Sequence, residues 1–433
     1  MDLNLFFALL GGLLVLAFLA NRLVRFTGVP DVIILLATGV LIGPVLHWIN
    51  PEIFRGVAHG FGSLALILIL FEGGLDLKLR EILSHVGGGV FLAVFCYLLS
   101  AAGVALVCRQ IVHFPWISSL LIGAALGCIS SSIVLPVLQQ VNLRRDVKIT
   151  LLVEASFGDA LAVLAVTTLL DIAMGGTASP KSIAWSLFSS TVLAIASGTL
   201  IGILWTYLLP FLSEERFWHV LTFAAVLLLY SGVHALHGNE LVAVLVFGLT
   251  LANYPAARDR IHLAESGGAG WFEEIPLQPA AVPHHGQMLT FHGELAFLIR
   301  TFFFVLLGTL VEFGGLRQQL LLAAECCAAL LIGRWLAVQL GRFAWPGFSA
   351  QEREMMVWFL PRGLITAVLG IDILGARGPA FDFLPSLAFA VILITNLALL
   401  IGTLRSRKLL PKAPAVNRQI AERQPPLSRQ ALR

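Results

Sequence analysis

"EASFGDALAV", residues 154–163, sets two carboxylates five positions apart inside a run that otherwise reads as a membrane-crossing helix. An ionised group at mid-bilayer costs about 3 kcal/mol even on lenient insertion scales, so Glu154 and Asp159 each need a partner or a water-filled path. Five helical residues turn about 500°, which leaves the two side chains roughly 140° apart and points to two separate jobs. Asp159 shares a face with Ser156, three residues earlier. That pairing reads as an oxygen-lined cavity suited to a hard cation. Glu154 turns elsewhere and calls for a cation from the protein itself; the candidates are Arg362 first and Arg300 second, both inside apolar runs.

The composition around this stretch is that of a polytopic membrane protein. Of 433 residues, 58% are hydrophobic and only 12% charged, and the mean hydropathy is +0.90; a soluble globular chain has about twice that charge. Forty glycines and nineteen prolines fit the same class, because membrane helices tolerate both where neighbours re-satisfy the freed backbone groups. Cys96, Cys108, Cys128, Cys326 and Cys327 fall in or beside apolar runs without metal-ligand spacing and read as small core residues. The net charge of +3 says little, and no nucleic-acid partner is expected. The first apolar run, 3–23, is long enough to span and lacks a basic leader, so no cleavable signal is expected.

At about 20 apolar residues per span, thirteen runs emerge, near 4–24, 30–48, 60–77, 88–112, 115–139, 149–174, 182–212, 217–236, 240–255, 294–312, 316–340, 355–375 and 383–404. Alternate loops differ in Lys and Arg, twelve (from Arg22 to Arg353) against five (Arg55, Arg109, Lys181, Arg317, Arg377), and the basic tail from Arg405 falls on the richer side. The positive-inside rule then puts the amino terminus outside and the carboxyl terminus in the cytoplasm. Residues 1–405 make one transmembrane unit, and 406–433 a short polar tail expected to be disordered and too small for a nucleotide-binding regulatory domain. The longest loop, 256–293, holds "GGAG", several prolines and His284, His285 and His292, and reads as a cytosolic linker between two halves; a histidine pH sensor is the other reading.

Internal symmetry follows from two matched runs. "DVIILLATGVLIGP" in the second run and "NELVAVLVFGLTLANYP" in the ninth share a central glycine, and a shift of seven also relates the fifth run to the twelfth. Those two carry helix-breaking chemistry, "GCISSSIVLP" and "FLPRGLITAVLG". An odd shift inverts one half relative to the other, the arrangement in which interrupted helices meet near the midplane. In the fifth run Ser130, Ser131 and Ser132 precede Pro136, so a break there would expose hydroxyls and carbonyls; spacing does not choose among the three. Glu72, in "LFEGGLDL" near one end of the third run, is a candidate funnel carboxylate. Glu325 and Arg334, nine apart in the eleventh run, receive no role.

These residues together resemble the monovalent cation:proton antiporters, most closely the NhaP-type sodium:proton antiporters, over roughly residues 5–405. The marks are "VPDVIILLATGVLIGP", "LFEGGLDL", "EASFGDA", "LIRTFFFVLLG" (298–308) and "PRGLITAVL" (361–369). The resemblance implies an all-α fold of thirteen helices in two inverted repeats, a dimerisation domain, and a core domain in which two discontinuous helices cross, formed by the fifth, sixth and twelfth runs. It implies that Asp159 binds ion and proton, that Glu154 and Arg362 form a structural ion pair, and that Ser156 and the 130–132 serines help hold the ion. One position departs: Gly158 stands where such proteins carry Asn and electrogenic relatives a second Asp. The "SSSIVLPVL" segment also looks like potassium:proton exchangers and potassium efflux systems.

The expected function is exchange of one monovalent cation, sodium or lithium first and potassium second, for one proton, by a homodimer in the bacterial inner membrane. The single carboxylate at 158–159 and the lack of Lys in the middle of the tenth run point to one-for-one stoichiometry. Proton and cation compete at Asp159 while the core moves against a scaffold. No cofactor is needed. A cation channel would require a continuous pore, an organic-anion carrier fits a buried carboxylate less well, and no nucleophile with a nearby base marks an enzyme.

Overall fold

The structure, a computed structural model, describes residues 3–27, 29–48, 51–76, 79–141, 143–174, 180–212, 217–265, 285–311, 316–343, 345 and 347–409. Among them there is no β-strand. Fifteen α-helices follow one another: α1 (Leu3–Thr27), α2 (Asp31–Val40), α3 (Pro51–Asp76), α4 (Leu79–Val107), α5 (Trp116–Gly127), α6 (Ser131–Gln140), α7 (Arg145–Ala173), α8 (Pro180–Leu212), α9 (Trp218–Ala235), α10 (Glu240–Glu265), α11 (His285–Thr309), α12 (Leu316–Leu340), α13 (Ala350–Trp358), α14 (Leu364–Arg377) and α15 (Leu384–Leu409). Every one of the thirteen apolar runs holds helix, because α5 and α6 share the fifth and α13 and α14 share the twelfth. Nine described segments are long and apolar enough to cross a membrane, and four shorter apolar helices complete the set.

The 256–293 loop is shorter than expected. Polar helix ends protrude into it, α10 to Glu265 and α11 from His285, leaving 266–284 with His284 outside the described residues. A helix satisfies its own i to i−4 bonds, so it can continue beyond an apolar stretch. His292 is thereby placed inside α11, fully buried. The tail is helical to Leu409, and 410–433 lie outside the described residues.

Burial is distributed as the bilayer demands. Large apolar side chains such as Phe211 and Leu228 face outward, whereas Glu154, Asp159, Arg334 and Arg362 are buried among the helices. All five cysteines are buried free thiols.

The helices pack as two groups. In one, α4 lies against α5, α7 and α12, and α12 to α15 close around them. In the other, α10 lies against α3, α8 and α9, and α11 against α2 and α3. The seam between the groups is lighter, with α14 resting on α3 and α15 on α2. The second group is held by glycine crossings that repeat. Where α2 crosses α11, a side chain on Gly308 would meet the Leu36 carbonyl at 2.5 Å and the Gly39 Cα at 2.8 Å. Where α3 crosses α10, one on Gly248 would meet the Phe71 carbonyl at 2.5 Å and the Gly74 Cα at 3.2 Å. Gly39 and Gly248 are the central glycines of the two matched runs, so the repeat seen in sequence is a repeat of close helix crossings.

Gly248→Leu should therefore overpack the α3–α10 crossing and cost about 1 to 3 kcal/mol, seen as a lowered Tm in detergent. Gly73→Leu, one residue from the crossing but with open space around it, should leave Tm nearly unchanged. Equal effects at the two positions would remove the crossing as the reason for the glycine.

Candidate functional site

Two breaks cross at the centre of the first group. The α5–α6 helix stops at Gly127 and restarts at Ser131, with Cys128 and Ser130 extended between. The α13–α14 helix stops at Trp358 and restarts at Leu364. Pro361 lies in that gap; it lacks an N–H and pushes its predecessor out of helical conformation. At the crossing the Ser130 amide donates to the Pro361 carbonyl at 3.0 Å. The approach is close enough that a side chain on Gly363 would strike the Ser130 hydroxyl.

Interrupted helices in a membrane leave backbone groups that only the protein can satisfy. Arg362, fully buried, supplies donors to the carbonyl ends: its Nε donates to the Leu126 carbonyl at 2.7 Å and its Nη1 to the Leu360 carbonyl at 3.2 Å. From α15, the Thr395 hydroxyl accepts from the Arg362 amide at 3.1 Å and the Asn396 side chain donates to the Arg362 carbonyl at 2.9 Å.

The amide end of the α6 break has the opposite polarity and meets Asp159. This carboxylate, 2% exposed on α7, accepts from the Ser131 hydroxyl at 2.6 Å and from the Ser131 amide at 3.4 Å, both through Oδ2. A negative charge at a helix amino terminus is favoured by the free N–H groups there. Its second oxygen, Oδ1, is buried with no hydrogen-bond partner among the described residues.

The expected site residues are thus sorted. Ser131 is the serine that holds Asp159, while the Ser130 hydroxyl turns to that of Ser132 at 3.0 Å. Ser156 is buried on α7 one turn before Asp159. A side chain on Gly158 would come no nearer than 3.9 Å to any neighbour, the Ile129 amide nitrogen in the break. Glu72 lies against α11, where a side chain on Gly293 would be 3.2 Å from its Oε1.

The ion pair of Glu154 is a correction. Its partner is Arg334 of α12, and neither Arg362 nor Arg300 takes that place. Arg334 grips Glu154 with both ends of its fork, Nη1 on Oε1 and Nη2 on Oε2 at 3.0 Å. It also donates through Nε to the Met356 carbonyl at 2.7 Å and through Nη1 to the Cys96 sulfur at 3.3 Å. The physical reason is position: Arg362 lies in the second break, where its Nε and Nη1 serve the Leu126 and Leu360 carbonyls. Arg300 sits in the other group and pairs with Asp31 at 2.8 Å. Arg334 and Asp31 are the residues that the sequence reading passed over. The signal for Arg334 was its place in the middle of an apolar run, where a charge marks a buried partner.

The chain is similar to several known proteins. The family model described as sodium/hydrogen exchanger, transmembrane, matches residues 13–410. A K(+)/H(+) antiporter NhaP2 of Shewanella sp. (strain MR-4) is 25% identical over 378 residues, covering 86% of this chain and 61% of that one; the chain thus spans about six-tenths of the length of that relative. The Na(+)/H(+) antiporter 1 of Methanocaldococcus jannaschii is 25% identical over 387 residues, covering 86% of this chain and 84% of that one. Among solved structures, the sodium proton antiporter MjNhaP1 from the same organism, at pH 8, aligns with a TM-score of 0.72 at 21% identity over 93% of this chain and 100% of that one. The likeness supports the all-α polytopic fold.

Arg334→Met should strand the Glu154 charge in the interior and cost about 3 to 5 kcal/mol, read as a large drop in Tm in detergent. An unchanged Tm would remove the pair as a support of the core.

Proposed function

Because this chain belongs to the sodium/hydrogen exchanger family, we propose that it exchanges a monovalent cation for a proton across the membrane, one for one, by alternating access. The observation that carries the reading is the divided state of Asp159: Oδ2 is held by Ser131, while Oδ1 is buried without a hydrogen-bond partner among the described residues. A carboxylate oxygen removed from water needs a proton or a cation to offset its desolvation. Either satisfies it, and each excludes the other. Ser131, Ser156 and the carbonyls of the break supply further oxygens of the kind a hard cation takes.

In this mechanism a cation enters at Asp159 from one side, the first helix group shifts against the second, the ion leaves, and a proton takes its place for the return. The lighter seam at α14 on α3 and α15 on α2 is where such movement would occur. Glu154 with Arg334, and Arg362 at the carbonyl ends, keep the crossing intact while the group moves. Sodium or lithium is the first assignment of the ion. Potassium is the second reading, favoured by the open space beside Gly158 and by the relatives named as potassium:proton antiporters. On the Lys and Arg distribution, the amino terminus is outside and the carboxyl terminus cytoplasmic. The resemblance adds an inner-membrane location and a homodimer.

Competition has a definite sign with pH. Protonation removes the charge that the ion needs, so apparent cation affinity should weaken as pH falls, with little change in maximal rate at saturating cation. Asp159→Asn keeps the size but cannot ionise; it should fold with a Tm near the parent's and show no coupled exchange in proteoliposomes. Ser131→Ala should raise the apparent KM about tenfold, the worth of one hydrogen bond to a charged group. A well-folded Asp159→Asn protein with parent-like, cation-dependent flux would sink the reading.

Stoichiometry is tested separately. With glycine at 158, one negative charge is shared between one cation and one proton, so exchange in vesicles clamped at different potentials should vary little. Strong voltage dependence would overturn the one-for-one ratio and direct attention to a second titrating group.

A further inference from the structure

The tenth run contributes a charge that neither the ion pair of Glu154 nor the crossing uses. Arg300, on α11 of the second helix group, donates through Nη2 to Asp31 Oδ2 at 2.8 Å and through Nη1 to the main-chain carbonyl of Ser132 at 3.2 Å. Its guanidinium lies 5.8 Å from the ring centre of Phe297, one turn earlier on the same helix. The Arg300 and Asp31 side chains are 14% and 11% exposed, so this pair is largely desolvated, unlike an ordinary surface ion pair.

The Ser132 carbonyl is available for a covalent reason. In an uninterrupted helix its donor would be the amide of the residue four positions on, and that residue is Pro136, which has no N–H. Arg300 supplies the missing donor from the opposite helix group. Ser132 is next to Ser131, whose amide and hydroxyl hold Asp159. A side chain anchored on α11 and α2 thus reaches across the seam and grips the first turn of α6, one residue from the ion-holding serine.

We infer that Arg300 is a positioning residue and a latch between the two helix groups: fixed to the second group by Asp31, it holds the proline-orphaned carbonyl of Ser132 and so sets the ion-holding turn. The inference rests on the exchange mechanism proposed above, because movement of one group past the other must make and break this bond. In the latched arrangement the Ser132 carbonyl is committed to Arg300. When the groups separate, that bond breaks and the first turn of α6 loses its tie to the second group. The guanidinium is suited to the task because its planar fork serves a carboxylate and a carbonyl at once, which a lysine cannot do in the same geometry.

The test is a double-variant cycle, since Pro136→Ala restores an N–H that can take the Ser132 carbonyl in place of Arg300. Maximal exchange rate is measured in proteoliposomes, and cation affinity by the sodium-induced rise in Tm. Arg300→Gln should change the maximal rate about tenfold, the worth of one charge-assisted hydrogen bond, while cation affinity moves less than about twofold. In the Pro136→Ala background most of that effect should vanish. Arg300→Lys, which keeps the charge facing Asp31, should behave like Arg300→Gln in rate while holding the parent Tm. If Arg300→Gln does not fold, the lysine variant carries the same cycle. Equal effects of the Arg300 variant in both backgrounds, or full rescue of rate by lysine, would overturn the latch and leave a plain ion pair. Amide hydrogen exchange over 130–140 is followed on the same samples and needs no transport: Arg300→Gln should speed it in the parent and not in Pro136→Ala. Absence of exchange by the parent protein would sink the proposed function, and the hydrogen-exchange cycle would still decide the latch.

Discussion

One guanidinium ties four helices of the first group. Arg334 of α12 reaches Glu154 on α7, the Met356 carbonyl on α13 and the Cys96 sulfur on α4. Each of those helices carries something that the crossing needs: α7 carries Asp159, α13 runs into the second break, and α4 backs both α5 and α7. The two charges are fully enclosed, so neither can turn to water if the other is lost. A buried pair of this kind is weak evidence of net stability but a strong constraint on arrangement, because alternatives that separate the partners are heavily penalised. The orientation of α7, and with it the direction in which Asp159 points, follows from that constraint.

The crossing divides polar groups by sign. At the carbonyl ends of α5 and α13 stands a cation, Arg362; at the amide end of α6 stands an anion, Asp159. Each neutralises the partial charge of the half-helix it faces. Each is only partly committed: Arg362 gives Nε and Nη1 to backbone carbonyls and Asp159 gives Oδ2 to Ser131, while Arg362 Nη2 and Asp159 Oδ1 are buried without a hydrogen-bond partner among the described residues.

Both helix groups use close glycine crossings. In the second, Gly39 meets Gly308 and Gly74 meets Gly248; in the first, a side chain on Gly123 of α5 would strike the Ala101 carbonyl of α4, and one on Gly333 of α12 would meet the Leu99 carbonyl carbon at 3.0 Å. What the first group adds is a set of buried polar bonds around a broken centre. A lighter seam joins the two. The Asp31–Arg300–Ser132 chain is a polar link across that seam.

The order of apolar runs and glycines was enough to determine the class, the thirteen spans and the inverted repeat, because bilayer thickness and backbone satisfaction leave few ways to cross a membrane. Pro361, Gly363 and the serines before Pro136 marked the two breaks for the same reason, since covalent structure forbids regular helix there. Asp159 stood out because a carboxylate in an apolar run needs a partner or a water-filled path, and the structure sets Ser131 against it. The choice of partners was decided only by tertiary structure. Arg362 and Arg300 were as eligible as Arg334 for Glu154 when judged by composition, but which arginine lies beside a given carboxylate depends on which helices are neighbours, and sequence separation carries no such distance. The choice among Ser130, Ser131 and Ser132 likewise depended on where α6 restarts, since each residue turns the next by about 100° and a shift of one would present a different hydroxyl. Asp31 received no reading of its own from the sequence, and packing alone sets it against Arg300.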